Sequence, residues 1–178
     1  MPKSSKKQMY ADEMKIVEEL QKNSKESIDA IAKRCGFSRQ KVWRNIKRLE
    51  KNKTIWGYHA VVDDEKLGLR RYFILIKRTN KPATKEKIDY VITRKLSKET
   101  AEIGVNVECS YYVHGSFDWL ICITASHLRQ VKKFCEAFNV LFEEGYVANI
   151  QVLEVIFPVE KNGMNNPDID KIKEFFPI

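Results

Sequence analysis

Ser27-Ile28-Asp29-Ala30-Ile31-Ala32-Lys33-Arg34-Cys35-Gly36-Phe37-Ser38-Arg39-Gln40-Lys41-Val42-Trp43-Arg44-Asn45-Ile46-Lys47-Arg48-Leu49-Glu50 reads as a helix, a tight glycine turn and a second, strongly basic helix. That order is a helix-turn-helix, which can place a cationic helix in the major groove of DNA. Ser27 is the expected N-cap for the first of the two, with Ile28, Ile31 and Ala32 pointing inward. Gly36 can take the left-handed backbone of a helix C-terminus, and Ser38 then caps the basic helix. Phe37 before that cap and Val42 after it can staple the chain entry. Upstream, Ile16, Val17 and Leu20 mark one face of a helix over about Ala11 to Lys22.

Charge follows the same division. Residues 1–60 hold 15 Lys/Arg and 7 Asp/Glu, whereas residues 61–178 hold 17 of each, so the whole excess of +8 sits on the helix-turn-helix part. A basic pole joined to a neutral remainder suggests a DNA reader coupled to a second domain. On a helical wheel Val42, Ile46 and Leu49 fall within an arc of about 60° and pack inward, leaving Gln40, Arg44, Lys47 and Lys51 on the opposite side. Arg39, Gln40 and Arg44 are the candidates for base contact, since Arg forks onto guanine and Gln onto adenine. Lys41, Lys47, Arg48 and Lys51 are the candidates for phosphate contact, which positions without specifying sequence. Trp43 lies on the flank, open to core packing or to DNA contact.

Downstream, Ile55-Trp56-Gly57-Tyr58-His59-Ala60-Val61-Val62-Asp63 is aromatic and β-branched and predicts a strand leaving the reader. Tyr72-Phe73-Ile74-Leu75-Ile76 predicts a central strand, covered on both faces or at a subunit contact. The remainder predicts a helix over Lys85–Glu102 with Ile88, Val91, Ile92 and Leu96 on one side, then strands at Val105–Val113 and Phe117–Thr124. A helix over Leu128–Glu144 and a strand over Val147–Phe157 follow. Strand, helix, strand, strand, helix, strand is the ferredoxin-like α+β order. Gly163, Asn165, Asn166 and Pro167 predict a loop, and Ile169–Phe176 a short amphipathic helix. The expected organisation is therefore a reader over 1–54, a strand linker over 55–69, a ferredoxin-like domain over 70–160 and a tail over 161–178.

Cys35, Cys109, Cys122 and Cys135 are well separated and form no zinc pattern, which suits reduced, buried thiols. The basic start Met1-Pro2-Lys3-Ser4-Ser5-Lys6-Lys7 has no apolar signal core behind it, and no run approaches the roughly 18 apolar residues of a membrane helix. The expectation is a soluble cytoplasmic protein with no membrane partner, no metal and no cofactor.

Over about residues 9–160 the chain resembles the Lrp/AsnC (feast/famine) family of archaeal and bacterial regulators. The matching pieces are Ile31–Ser38, Val42–Glu50, Ile55–Asp63, Lys66-Leu67-Gly68 and a G-x-x-D turn, Gly115-Ser116-Phe117-Asp118. The resemblance implies a winged, three-helix helix-turn-helix domain followed by a ferredoxin-like βαββαβ domain of the RAM type. It implies a sequence-specific regulator of double-stranded DNA that assembles with itself into dimers, tetramers or octamers. It also implies an amino acid or similar small effector near Gly115, Phe117 and Asp118. Glycine there lets a ligand approach the backbone, and the Asp118 carboxylate can accept from an ammonium group; the alternative is that both residues only build the hairpin turn. Two features depart from the family. Lys85–Gly104 lacks the short proline-glycine approach to the second strand, and the tail runs past the usual end after Pro158.

Three rival readings carry less. A sirohaem-decarboxylase-like enzyme shares the architecture, but His59, His114 and His127 form no cluster and no nucleophile elbow or phosphate loop is present. An RNA-recognition module needs basic and aromatic residues on its sheet, and the second domain has no net positive charge. A chromatin-like binder without sequence preference is set apart by salt dependence. No catalytic residue is expected.

Overall fold

The structure, a computed structural model, describes residues 5–142 and 145–176. Met1–Ser4, the end of the helix expected to reach Glu144, and the last two residues of the tail lie outside the described residues. The chain divides into two units, one holding the residues up to Val61 and those from Val159 on, the other Val62–Pro158.

The first unit is built on three helices: α1 (Lys6–Lys22), α2 (Ile28–Cys35) and α3 (Arg39–Lys51). Each starts where a serine hydroxyl can take an orphan amide. Ser5 Oγ accepts from Gln8, Ser27 Oγ from Ala30 and Ser38 Oγ from Lys41, at 3.2, 3.1 and 3.3 Å. The Ser5 cap lets α1 begin five residues before the expected Ala11. Gly36, at φ 69°, ends α2 in the left-handed conformation. Ile16, Ile31, Ala32 and Val42 form the buried centre, with Leu20, Ile28, Phe37 and Ile46 packed around it.

The expected strand Ile55–Asp63 does not form: among the described residues no strand pairs with it. β-propensity favours an extended backbone, but a strand exists only when a neighbour takes its amide and carbonyl groups. A turn of 3₁₀ helix, Glu65–Leu67, follows and ends on Gly68 at φ 69°. Returning to the first unit, the tail holds a two-stranded hairpin, β5 (Glu160–Lys161) and β6 (Met164–Asn165), where only a loop is expected. Its turn, Asn162-Gly163, has positive φ at both residues (49° and 77°), as a two-residue hairpin requires. Asn162 Nδ2 meets His59 Nε2 at 2.9 Å. The short helix expected over Ile169–Phe176 forms over Ile169–Phe175 as a 3₁₀ helix.

The second unit is a four-stranded antiparallel sheet, β1 (Arg70–Arg78), β2 (Asn106–Tyr112), β3 (Trp119–Ala125) and β4 (Val147–Glu154), in the order β2-β3-β1-β4. With α4 (Lys85–Ile92), α5 (Lys95–Ala101) and α6 (Leu128–Phe142) it has the ferredoxin-like arrangement. Alternation sends Tyr72, Ile74 and Ile76 of β1 and Trp119, Ile121 and Ile123 of β3 to one face, against Val131, Phe134, Phe138 and Phe142 of α6. Arg71, Phe73 and Leu75 point to the other face, so β1 is central in the sheet but covered by helices on one side.

The single helix expected over Lys85–Glu102 is broken. Arg94 sits at φ 56°, and Thr93 Oγ1 donates to the Asp89 carbonyl at 2.7 Å, closing α4. Leu96 still packs on the core, but Ile88, Val91 and Ile92 are exposed, Ile92 by 72 %. Strand β4 ends at Glu154, before Phe157. All four cysteines are free; Cys122 is buried, whereas Cys35, Cys109 and Cys135 are half-buried, a correction to the expectation of four buried thiols.

Candidate DNA-reading helix and effector turn

Helix α3 buries Val42, Asn45 and Leu49 and leaves Arg39, Gln40, Trp43, Arg44, Lys47, Arg48 and Lys51 exposed. Trp43, 52 % exposed, is not a core residue. The cations of this helix separate into two groups. Lys41 Nζ lies 2.7 Å from Asp12 Oδ2 on α1 and 3.9 Å from the centroid of the Phe37 ring. Arg48 Nε donates to Glu13 Oε1 at 2.7 Å, and its Nη2 donates to Asn45 Oδ1 at 2.6 Å. Asn45 in turn donates to the Lys41 carbonyl at 2.8 Å. These contacts bolt α3 to α1. Sequence reasoning misses Asp12, Glu13 and Asn45, because nothing local links an acid on α1 to a base on α3.

On the opposite side Gln40, Arg44 and Lys51 engage no other side chain among the described residues. Arg39 meets Asp29 at 3.1 Å and Lys47 meets Glu50 at 2.9 Å, both pairs at the surface. Exposed pairs of this kind are worth about 0–1 kcal/mol and exchange readily for another anion.

Asp12 is held below the ordinary carboxylate value, chiefly by the Lys41 hydrogen bond and against the opposing effect of burial. A carboxyl lowered on folding adds stability above its unfolded pKa, 3.8, and that stability is lost as the pH falls through the lower folded value. The helical unit is therefore expected to weaken below about pH 4. Asp12→Asn should cost about 1–3 kcal/mol at neutral pH and flatten this acid limb, as thermal melts from pH 2 to pH 6 will read.

In the second unit, Val113–Asp118 joins β2 to β3. Gly115 sits at φ 148°, and a Cβ built there would meet nothing within 4 Å. The glycine thus serves the backbone angle and leaves open space above it. Phe117 and Asp118 are half-buried. Asp118 Oδ2 accepts from the Arg78 amide at 2.9 Å and from Lys77 Nζ at 3.1 Å, and the carboxyl is held below its ordinary value by these donors, the amide foremost. The Asp118 amide donates to the Ile76 carbonyl, and its carbonyl accepts from Val113, both at 2.9 Å. Arg78 runs beside the turn, its Nη1 donating to Tyr146 Oη at 2.7 Å, its guanidinium near the Tyr112 and Tyr146 rings. The structure brings Gly115, Phe117 and Asp118 into one turn braced by β1.

The family description "Winged helix-turn-helix DNA-binding" matches residues 13–55. The chain is 30 % identical over 136 residues to the leucine-responsive regulatory protein of Haemophilus influenzae, covering 75 % of this chain and 76 % of that protein. The chain belongs to the Lrp/AsnC family of regulators. It is a DNA-binding transcriptional regulator. The proline dehydrogenase transcriptional activator of Rhizobium radiobacter is 27 % identical over 122 residues, 68 % of this chain and 73 % of that one. The fold matches a feast or famine regulatory protein of M. tuberculosis complexed with L-methionine, with TM-score 0.66 and 17 % identity over 88 % of this chain and 98 % of that chain. No helix among the described residues is long and apolar enough to cross a membrane.

Proposed function

We propose that this regulator reads a specific DNA sequence as a dimer or larger assembly, and that an amino acid modulates it. The observation that carries the reading is the α3 face on which Gln40, Arg44 and Lys51 project without internal partners. Gln40 and Arg44, with Arg39 at the first turn, reach base edges; Lys47 and Lys51 take phosphates, and Trp43 packs against the duplex at the flank. Lys41 and Arg48 act first by fixing α3 against α1, because Asp12 and Glu13 already engage them. Two such helices related by a two-fold axis read half-sites about one helical turn apart. The protein contributes no chemistry of its own to a substrate and works through binding.

Arg44→Ala is expected to weaken operator binding about 5- to 150-fold, by roughly 1–3 kcal/mol, and to relax selectivity at one base position while the melting temperature holds. Lys51→Ala should weaken all duplexes alike and reduce the salt slope by about one ion. Gel-shift titrations against single-base operator variants distinguish the two. Equal affinity of Arg44→Ala and wild type on the mapped operator contradicts the base-reading role.

For the effector, Gly115, Phe117 and Asp118 are the proposed contacts. Asp118 Oδ1 is not engaged among the described residues and can accept from an ammonium group. L-Methionine, present in the M. tuberculosis relative, is the first probe. Calorimetric titration should give binding to wild type and none to Asp118→Ala; undiminished binding to the variant moves the effector elsewhere.

A further inference from the structure

Cys109 on β2 and Cys122 on β3 are direct cross-strand partners. Side chains of such partners share one face of the sheet, and their Cα atoms stand about 4.5–5.5 Å apart. A disulfide accepts Cα separations of about 4.4–6.8 Å, so this pair meets the first geometric demand. Cys35 and Cys135 lie on helices α2 and α6, outside this ladder. The register slips between Val107 and Cys109, leaving Glu108 as an extra residue beside the pair. Such a bulge gives the strand local freedom to twist, which a flat ladder lacks. The two thiols differ in exposure: Cys109 is half-buried and reachable, Cys122 is buried. Beside them stands a charge. Arg71 Nη1 lies 3.2 Å from Cys122 Sγ, and the same guanidinium holds the Glu108 carboxylate.

From this juxtaposition we infer that Cys109 and Cys122 form a reversible intramolecular disulfide when the protein meets a hydroperoxide, clamping the β2–β3 hairpin. The chemistry balances with hydrogen peroxide as the oxidant. The Cys109 thiolate attacks one peroxide oxygen and the O–O bond breaks. Cys109 becomes a sulfenic acid, and the departing hydroxide takes the proton that the thiol released, forming water. Cys122 sulfur then attacks Cys109 sulfur, the S–O bond breaks, and hydroxide leaves with the Cys122 proton as a second water. Two thiols supply two electrons, and one peroxide becomes two waters.

The assignment of roles follows from surroundings. Burial pushes the Cys122 thiol up to about 11, and the neighbouring Arg71 only partly offsets this. Cys122 therefore waits as the resolving thiol, while the more accessible Cys109 reacts first. Once formed, the bond joins the two strands on either side of the Val113–Asp118 turn. It leaves less freedom to open the hairpin from its turn end.

The test uses the full chain. The protein is treated with hydrogen peroxide, alkylated with N-ethylmaleimide, digested without reductant and mapped by mass spectrometry. A linked peptide pair containing Cys109 and Cys122 is expected, with two of the four thiols lost and both restored by dithiothreitol. Cys109→Ser and Cys122→Ser should each abolish the link, and Cys35→Ser and Cys135→Ser should leave it intact. Because Cys122 is buried and its variant can fold poorly, the half-buried Cys109 variant carries the control. Hydrogen exchange gives an independent readout: the Val113 amide, which donates across the hairpin to the Asp118 carbonyl, should exchange at least about tenfold more slowly in the oxidised protein. Links between chains, Cys109 stopping at the sulfinic acid, or unchanged exchange at the Val113 amide in the linked protein would overturn the inference.

Discussion

Arg71→Ala is expected to destabilise the sheet unit by about 3–5 kcal/mol. The side chain, 16 % exposed, is held by three partners. Its Nε and Nη2 donate to the two oxygens of Asp64 at 2.9 and 3.1 Å, and its Nη2 and Nη1 to the two oxygens of Glu108. Its third partner is Cys122. Burial disfavours the cation, yet the Asp64 and Glu108 carboxylates more than compensate and raise its pKa above the ordinary arginine value. Alanine would remove the cation that the buried Asp64 and the more exposed Glu108 carboxylates share. That is the costly half of a buried ion pair; the pair as a whole can be close to neutral. Arg71→Lys should recover only part of the loss, since a single ammonium cannot fork onto two carboxylates. The triple change Arg71→Met, Asp64→Asn, Glu108→Gln should recover most of it. In a unit of this size the alanine variant should melt more than about 10 °C lower, as calorimetry will read. A loss under about 1 kcal/mol would mean that solvent screens the cluster as it does a surface pair.

Phe138→Ala carries a comparable cost for a different reason. The ring is 1 % exposed, stacks on Phe142 with centroids 4.4 Å apart and meets Trp119 edge-on at 5.9 Å. Phe142 continues the stack to Tyr146 at 5.4 Å. Truncation removes buried area, opens a cavity between α6 and β3, and unpairs two aromatic contacts, together about 3–5 kcal/mol. Phe138→Leu keeps most of the volume and should cost about 1.5 kcal/mol or less. Urea unfolding followed by Trp119 fluorescence should show the midpoint fall with an unchanged slope. If alanine and leucine behave alike, the aromatic ladder does not hold α6 to the sheet.

The helix-turn-helix was legible because its signals are local. Ser27, Gly36 and Ser38 act within a few residues of themselves, and each caps the helix it marks. The ferredoxin-like order was legible from the change between helical and strand periodicity. Three things were not. Ile55–Asp63 has strand composition, but composition supplies no pairing partner. Ile88, Val91, Ile92 and Leu96 keep one apparent phase across Arg94, and only the backbone angle shows that the helix breaks there. The Asn162-Gly163 turn carries the hairpin dipeptide, but its strands are two residues long, too short to show an alternating pattern.

Among the candidate DNA contacts, the wheel separates inward from outward residues correctly. It has no access to Asp12 and Glu13, whose partners Lys41 and Arg48 lie far along the chain; Glu13 and Arg48 are 35 residues apart. Counting charge on α3 therefore overstates what is free to meet phosphate. At the turn, the motif locates Gly115 and Asp118. That Lys77 and the Arg78 amide already hold Asp118 follows only from β1 lying beside it.

The most direct test is a competition between a promoter fragment that the protein protects in a footprint and a random duplex of equal length. Wild type and Arg44→Ala are compared from 50 to 300 mM salt. Wild type is expected to keep at least about a 10³-fold preference for the promoter at physiological salt, and Arg44→Ala to lose much of it. Equal affinity for both duplexes, falling steeply with salt and indifferent to Arg44, would instead mean that α3 supplies only charge.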